Sequence, residues 1–233
     1  MKKFTRIAVI GVAATTLFAF SAPQGDTTFE GIVTYSMSIG GDANPQAAAM
    51  MQGSGKKDYI KGDKVRTEVT TGMYKSITII DRKTKEEVTL VDMMGNKYEV
   101  KPDPNKPKPE DKQPPEIKYL DSTKQIAGYT CKAAEITVVN PRTSEKNTFV
   151  IYYTDKLPYS TDMGQYKGLK GFPLQYGTKQ QGMTIMISAT SIEKKALSDT
   201  LFAIPTKGYK IVASREEMMK DIQQDMGGGG GQQ

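Results

Sequence analysis

Histidine and tryptophan are absent from this sequence, and cysteine occurs once, at Cys131. Without histidine, every scheme that uses an imidazole base is excluded, and with it most zinc sites. A lone cysteine cannot close an intramolecular disulfide, so the chain is not a disulfide scaffold. A strong charge of one sign is lacking as well. Lys plus Arg number 32 against 26 Asp plus Glu, and three of the basic residues, Lys2, Lys3 and Arg6, sit in the first segment. Near balance elsewhere gives no electrostatic footprint for nucleic acid, which is not an expected partner. Long apolar runs are absent beyond one near the start, Ile7–Phe20, whose 14 residues fall short of the roughly 20 a helix needs to cross a bilayer.

That single run has a basic start ahead of it and small residues, Ala19 and Ser21, behind it. This is the layout of a secretory signal peptide, with cleavage expected after about Ser21 and residues 1–21 removed. An uncleaved N-terminal anchor is the alternative. No cysteine follows the run to carry a lipid, so the expectation is an exported periplasmic protein with no transmembrane anchor after processing. In that oxidising compartment Cys131, within Gly128-Tyr129-Thr130-Cys131-Lys132-Ala133, reads as a small buried hydrophobe on a strand. A reactive thiol is the other reading.

Alternation runs through most of the remainder. Phe29, Gly31, Val33, Tyr35, Met37 and Ile39 share one parity, and Glu30, Thr34, Ser36 and Ser38 share the other. A period of two with one apolar face is a half-buried strand. Similar signals predict strands at 59–61, 65–70, 75–80, 87–91 and 97–100, punctuated by Gly62-Asp63, Asp81–Thr84 and Gly95-Asn96, so the first half reads as an antiparallel meander. Residues 101–115, KPDPNKPKPEDKQPP, hold six prolines among charges and are expected to be an exposed loop or a linker. Strands resume at 116–120, 125–139 with a break near Tyr129, 147–154, 173–176, 183–192 and 200–204. Two helices are credible. One is Asn44–Gly53, with Pro45 at its first position, and the other opens on the capping box Ser214–Glu217, runs to about Asp225 and carries Met218, Met219 and Ile222 on one side. A flexible Gly-rich tail at 227–233 follows, leaving 22–226 as a single domain.

About eleven strands and two short helices make a mainly β protein whose sheet must cover its apolar face, and closing or curling around a helix fits the inventory. Hollows formed in that way commonly take apolar ligands. The parities select the lining: Phe29, Val33, Tyr35 and Met37 from the first strand, Met183, Ile185 and Ile187 from a late one, and Met50 and Met51 from the first helix as a lid.

Signals for catalysis are weak. Ser191-Ile192-Glu193-Lys194 and Ser54-Gly55-Lys56-Lys57 both fit Ser-x-x-Lys, but the companion elements of penicillin-recognising enzymes are missing. Thirteen methionines suggest core filling, an adaptable apolar lining or Cu(I) binding. Met183 and Met186 have opposite strand parity, which argues against a shared metal site, and no metal or cofactor is expected.

Several phrases then fall in a familiar order. Phe29-Glu30-Gly31-x-Val33-x-Tyr35-x-Met37 precedes Tyr59–Arg66, Ile80-Asp81, Ile126-Ala127-Gly128-Tyr129-x-Cys131-Lys132 and Ile151–Thr154. Gly168–Leu174 and Leu201-Phe202-x-Ile204-Pro205-x-x-Gly208-Tyr209 close the series. This order resembles an exported Gram-negative envelope family of unknown function, domain-of-unknown-function family 4412, close to the GLPGLI group. That resemblance implies a strongly curved antiparallel half-barrel of the LolA/LppX lipoprotein-carrier type with covering helices, and no catalytic residues. The resulting expectation is a non-enzymatic protein binding a lipid, a lipoprotein acyl chain or another apolar ligand. The rival is an envelope structural or protein-interaction module with a self-filled core, and a periplasmic enzyme or copper binder comes third.

Overall fold

Among the described residues twelve strands make one sheet. They are β1 (Glu30–Ile39), β2 (Gly55–Lys61), β3 (Lys64–Thr70), β4 (Tyr74–Asp81), β5 (Glu86–Met93), β6 (Asn96–Val100), β7 (Glu116–Ile126), β8 (Tyr129–Val139), β9 (Lys146–Thr154), β10 (Phe172–Gln180), β11 (Met183–Lys194) and β12 (Lys210–Val212). Helix α1 spans Pro45–Met50 and α2 spans Arg215–Gly228. This computed structural model describes residues 29–40, 45–93, 95–101, 114–139, 144–157, 166–180, 183–205 and 207–228. The expected leader, nearly all of the proline-rich segment and the end of the Gly-rich tail lie outside the described residues, as does the side chain of Met50.

The order across the sheet is β12-β6-β5-β4-β3-β2-β1-β11-β10-β9-β8-β7, an open arrangement rather than a closed barrel. Strands β1 to β6 form the expected meander, in which sequence neighbours pair antiparallel, and from β2 onward the turns between them are too short for any other pairing. The seam at the centre is long-range. β1 pairs antiparallel with β11, placing Met37 opposite Ile187 and Ile39 opposite Ile185. β7 and β8 form a hairpin whose turn residues, Ala127 and Gly128, both have positive φ (48° and 83°), as a tight turn matching strand twist requires. The sheet curves here. Cα atoms of β7 come within 8 Å of those of β11, four strands away, where flat strands at about 4.8 Å spacing would stand roughly 19 Å apart.

Register divides the sheet into two faces. On the inner face, the main cluster includes Val33 and Tyr35 from β1, Ile185 and Ile187 from β11, Leu174 and Tyr176 from β10, and Ile151 from β9. Leu157, Leu169 and Tyr166, from the segments between β9 and β10, pack against it. Farther along, α2 lays Met218 and Ile222 over Val91, Tyr98, Val100 and Val212. The outer face is covered across β1 to β4 by the segment after β11, with Leu197, Leu201 and Phe202 packed on Ile32, Tyr59, Ile77 and Ile79. Hydrogen bonds pin that segment. Lys61 donates to the Leu197 carbonyl (2.9 Å), Arg66 to the Leu201 carbonyl (3.0 Å), and the Leu197 amide to Glu30 (2.7 Å).

The expected class, mainly β with a curved antiparallel sheet and short helices, is the observed one, with local differences. Residues 200–204 are not a strand. Asp199–Phe202 is a 3-10 turn, because Ser198 caps the Thr200 amide and Phe202 turns down into the outer core. Strand β12 has no counterpart among the expected strands; its three residues add in parallel to β6, a pairing that exists only once the edge of the sheet is in place. Strand β2 begins at Gly55 and not at Tyr59. Met219 points to solvent at 43% exposure while Met218 and Ile222 are buried, because adjacent helical residues lie about 100° apart. Helix α2 also continues to Gly228, past the expected start of the tail.

Candidate functional site on the inner face

The strand-derived lining residues fall largely into one place. Phe29, Val33, Tyr35, Ile185 and Ile187 are buried members of the main inner cluster, and Met37 and Met51 pack against it half-buried. Met183 lies at the start of β11, paired with Gln180, and is 38% exposed, so the structure does not bring it to the others. Aromatic edges knit the strip together. Phe29 meets Phe172 at 6.2 Å, Tyr35 meets Tyr176 at 6.1 Å, and Tyr166 meets Tyr176 at 5.3 Å, all T-shaped as the ring quadrupoles prefer. The Tyr166 hydroxyl also donates to the Gly177 carbonyl at 3.0 Å.

Beyond β1 the same face becomes polar. One row of register partners runs Tyr35, Lys56, Val69, Ser76, Val91 and Tyr98 across β1 to β6. The adjacent row runs Val33, Asp58, Thr67, Thr78, Thr89 and Val100. Lys56 and Asp58 are ion-paired there with only 14% and 10% of their side chains exposed. Thr67 donates to Asp58 (2.7 Å), and Thr78 and Thr89 share a 3.0 Å hydrogen bond. Lys56 also stands over the Tyr35 ring, 4.3 Å from its centroid, and 5.8 Å from that of Tyr176. Sequence reasoning passes over this pair because the expected strand begins only at Tyr59. Counting back in twos from the apolar Ile60 places both Asp58 and Lys56 on the inner parity.

Cys131 is fully buried, and burial pushes its thiol up to about 11, the inert environment of a structural cysteine. Its sulfur contacts the Tyr129 carbonyl at 3.6 Å. Ser191–Lys194 lies on β11, and Ser54 precedes β2 while Lys57 lies within it, so neither Ser-x-x-Lys opens a helix. Met186 faces Gly177 and Ser38 across its two ladders, on the parity opposite to Met183. Among the described residues no three Cys, Asp or Glu side chains gather in a metal-binding arrangement. On the outer side, an open hollow lined by Lys61, Asp63, Lys64, Asp81, Lys83 and Asp199 holds three charges of each sign. Its Lys61–Asp199 contact of 3.2 Å is an exposed pair. Among the described residues no helix is long and apolar enough to cross a membrane.

An open curved sheet with an apolar inner strip and a polar band beside it is thus the framework of this chain. The chain belongs to the family described as Domain of unknown function (DUF4412), whose model matches residues 29–209. Among solved structures it is similar to PNGF-II in a P21 crystal form, with 24% identity and a TM-score of 0.48 over 84% of this chain and 33% of that one. A C2 form of PNGF-II gives the same identity and TM-score and is covered over 32%. The chain therefore spans about a third of the length of the PNGF-II chain. LprF from Mycobacterium bovis is 9% identical at a TM-score of 0.29, over 73% of this chain and 89% of that one. No curated protein matches.

Proposed function

We propose that this is an exported, non-enzymatic envelope protein that holds an apolar chain, such as the acyl chain of a lipid or lipoprotein, against the inner face of its sheet. The observation that carries it is the continuous strip of Val33, Tyr35 and Met37 on β1 beside Ile185 and Ile187 on β11. What packs over the strip includes Tyr166, Leu157 and Leu169, which belong to connecting segments. These residues lie outside the ladders of the sheet, and a connecting segment shifts at lower cost than a strand in a ladder. Apolar area removed from water, at about 25 cal/mol per Å², would supply the affinity. The missing histidine and the buried Cys131 support a non-enzymatic role.

A second reading is favoured by a specific observation. Val33, Ile136, Ile151 and Leu174 have no exposed surface at all, as in a core filled by its own side chains. In that case the sheet is a platform for an envelope partner protein. Native mass spectrometry and solvent extraction of the full-length gene product, purified from the periplasm of a Gram-negative host, decide between them. A copurifying acyl species is expected, and a ligand-free protein that takes up no added fatty acid would favour the platform. The same preparation is expected to begin at Ala22 by N-terminal sequencing, and an intact Met1 on a membrane-bound product would overturn the export proposal.

A further inference from the structure

The inner face is itself amphiphilic, and its polar band holds a buried charge pair where the acyl reading requires only apolar surface. Across β1 to β6, the two inward rows contain twelve positions, and Lys56 and Asp58 are the charged ones. Taking two charges out of water costs several kcal/mol per ion before their attraction is counted, and well-packed apolar residues commonly serve stability as well. The pair is not remote from the apolar strip. Lys56 sits on the ring of Tyr35, and Tyr35 packs edge-on to Tyr176, which in turn meets Tyr166. From Tyr166 to Thr67 the face therefore passes from aromatic, to cation, to carboxylate, to hydroxyl.

We propose that Lys56, with Asp58 and Thr67 beside it, is a headgroup site that takes an anionic group, a carboxylate or a phosphate, at the end of an acyl chain lying on the apolar strip. This rests on the acyl-binding reading above and names the ligand's polar end. The order of the groups decides the sign. Both side chains stand on β2 beside the strip, Lys56 opposite Tyr35 and Asp58 opposite Val33, but it is Lys56 that stands over an aromatic ring of the strip while the Asp58 carboxylate is engaged by Thr67 on β3, so a headgroup arriving along the aromatic rings meets the ammonium first. An ammonium has three donors, and the carboxylate of Asp58 also accepts from Thr67 at 2.7 Å. Asp58 thus keeps a donor if Lys56 turns part of its hydrogen bonding to a ligand. Charge-assisted bonds of this kind are roughly twice as strong as neutral ones, which gives a reason to retain a lysine here.

The test uses the mature protein and four probes: hexadecanoate, hexadecyl phosphate, hexadecanol and inorganic phosphate. Both amphiphilic anions are expected to bind about tenfold more tightly than the alcohol, the ratio a single charge-assisted contact supplies. Inorganic phosphate alone is expected not to bind measurably. Lys56→Met should bring the anions down to the alcohol's affinity and leave the alcohol unchanged. Asp58→Asn should act in the opposite direction, tightening the anions because Lys56 loses its competitor. A thermal melt of each variant precedes the titrations, and should Lys56→Met fail to fold, the near-isosteric Asp58→Asn still carries the test by its sign. Equal affinity for anions and alcohol would overturn the headgroup site and leave the acyl reading standing. Binding of inorganic phosphate as tight as that of hexadecyl phosphate would overturn the amphiphile, leaving a free-anion site. Binding of none of the four would overturn both readings.

Discussion

Gly31 on β1 lies against the main-chain carbonyl of Glu193 on β11 so closely that a Cβ would stand 2.1 Å from that oxygen and 2.9 Å from the ring of Phe29. No real Cβ tolerates such a distance, so the close approach of these two strands is written into the glycine. The seam it permits joins the meander of the first half to the strands of the second.

Gly31→Ala is therefore expected to destabilise by about 1–3 kcal/mol, because the strands must move apart to admit one methyl group. For a chain of this size that is a fall of about 2–12 °C in Tm. Gly72→Ala is the control: a Cβ at that position would meet nothing within 4 Å, and its melt should stay within about 0.5 kcal/mol of the parent.

Two substitutions on β11 separate the faces of the proposed acyl site. Ile185 is 6% exposed on the inner face, and Thr184 beside it is half-buried on the opposite parity. Ile185→Lys would leave an uncompensated charge inside and cost about 3–5 kcal/mol, whereas Thr184→Lys should melt close to the parent. Ile185→Met, which preserves apolar volume, is expected to keep fatty-acid binding by titration. Ile185→Thr, if folded, should weaken it. Equal binding by folded variants of both faces would count against the inner strip.

Cys131 should behave as an inert thiol. With its side chain buried and its pKa raised to about 11 by that burial, little thiolate exists near neutral pH. Maleimide or disulfide-exchange labelling should be slow in the native protein and rapid in denaturant. Fast labelling under native conditions would show that the β7–β8 hairpin opens readily.

Helix α2 is held to the sheet partly by Asp221, which accepts from Tyr98 at 2.8 Å and from Lys210. The Lys210 hydrogen bond, followed by that of Tyr98, holds the Asp221 carboxyl below its usual range. A depressed carboxylate stabilises the folded state fully above its unfolded pKa, about 3.9, and loses that stabilisation as pH falls through the folded value. Protection of the amides along 215–228, taken relative to their intrinsic exchange rate at each pH, should thus fall below about pH 4, ahead of the central strands. Asp221→Asn should flatten this dependence, and an unchanged acid profile in that variant would show that other carboxylates control it.

Much of the architecture is legible in the sequence because strand parity and turn chemistry are local. The alternation from Phe29 to Ile39, the break at Ala127-Gly128 and the capping box at Ser214 depend on residues within a few positions of one another. In the structure the Ser214 hydroxyl accepts from the Glu217 amide at 3.1 Å, as that box requires. The apolar inner face is legible for the same reason, since parity alone sends Val33, Tyr35, Ile185 and Ile187 to one side of the sheet. Segment 200–204 misleads because its apolar residues suit either a strand or a covering turn, and the choice belongs to the surface it covers.

By itself, then, the sequence determined the β class, the short helices, the parity of β1 and β11 and the exclusion of histidine chemistry, all consequences of residue type and close spacing. Only the tertiary structure decided that β1 lies between β2 and β11, that β12 adds to β6, and that Lys56 and Asp58 meet on the inner face beside Tyr35. Those outcomes depend on pairing between residues far apart along the chain. Loop entropy and the packing of both sheet faces select such pairings together, and no local pattern carries that information.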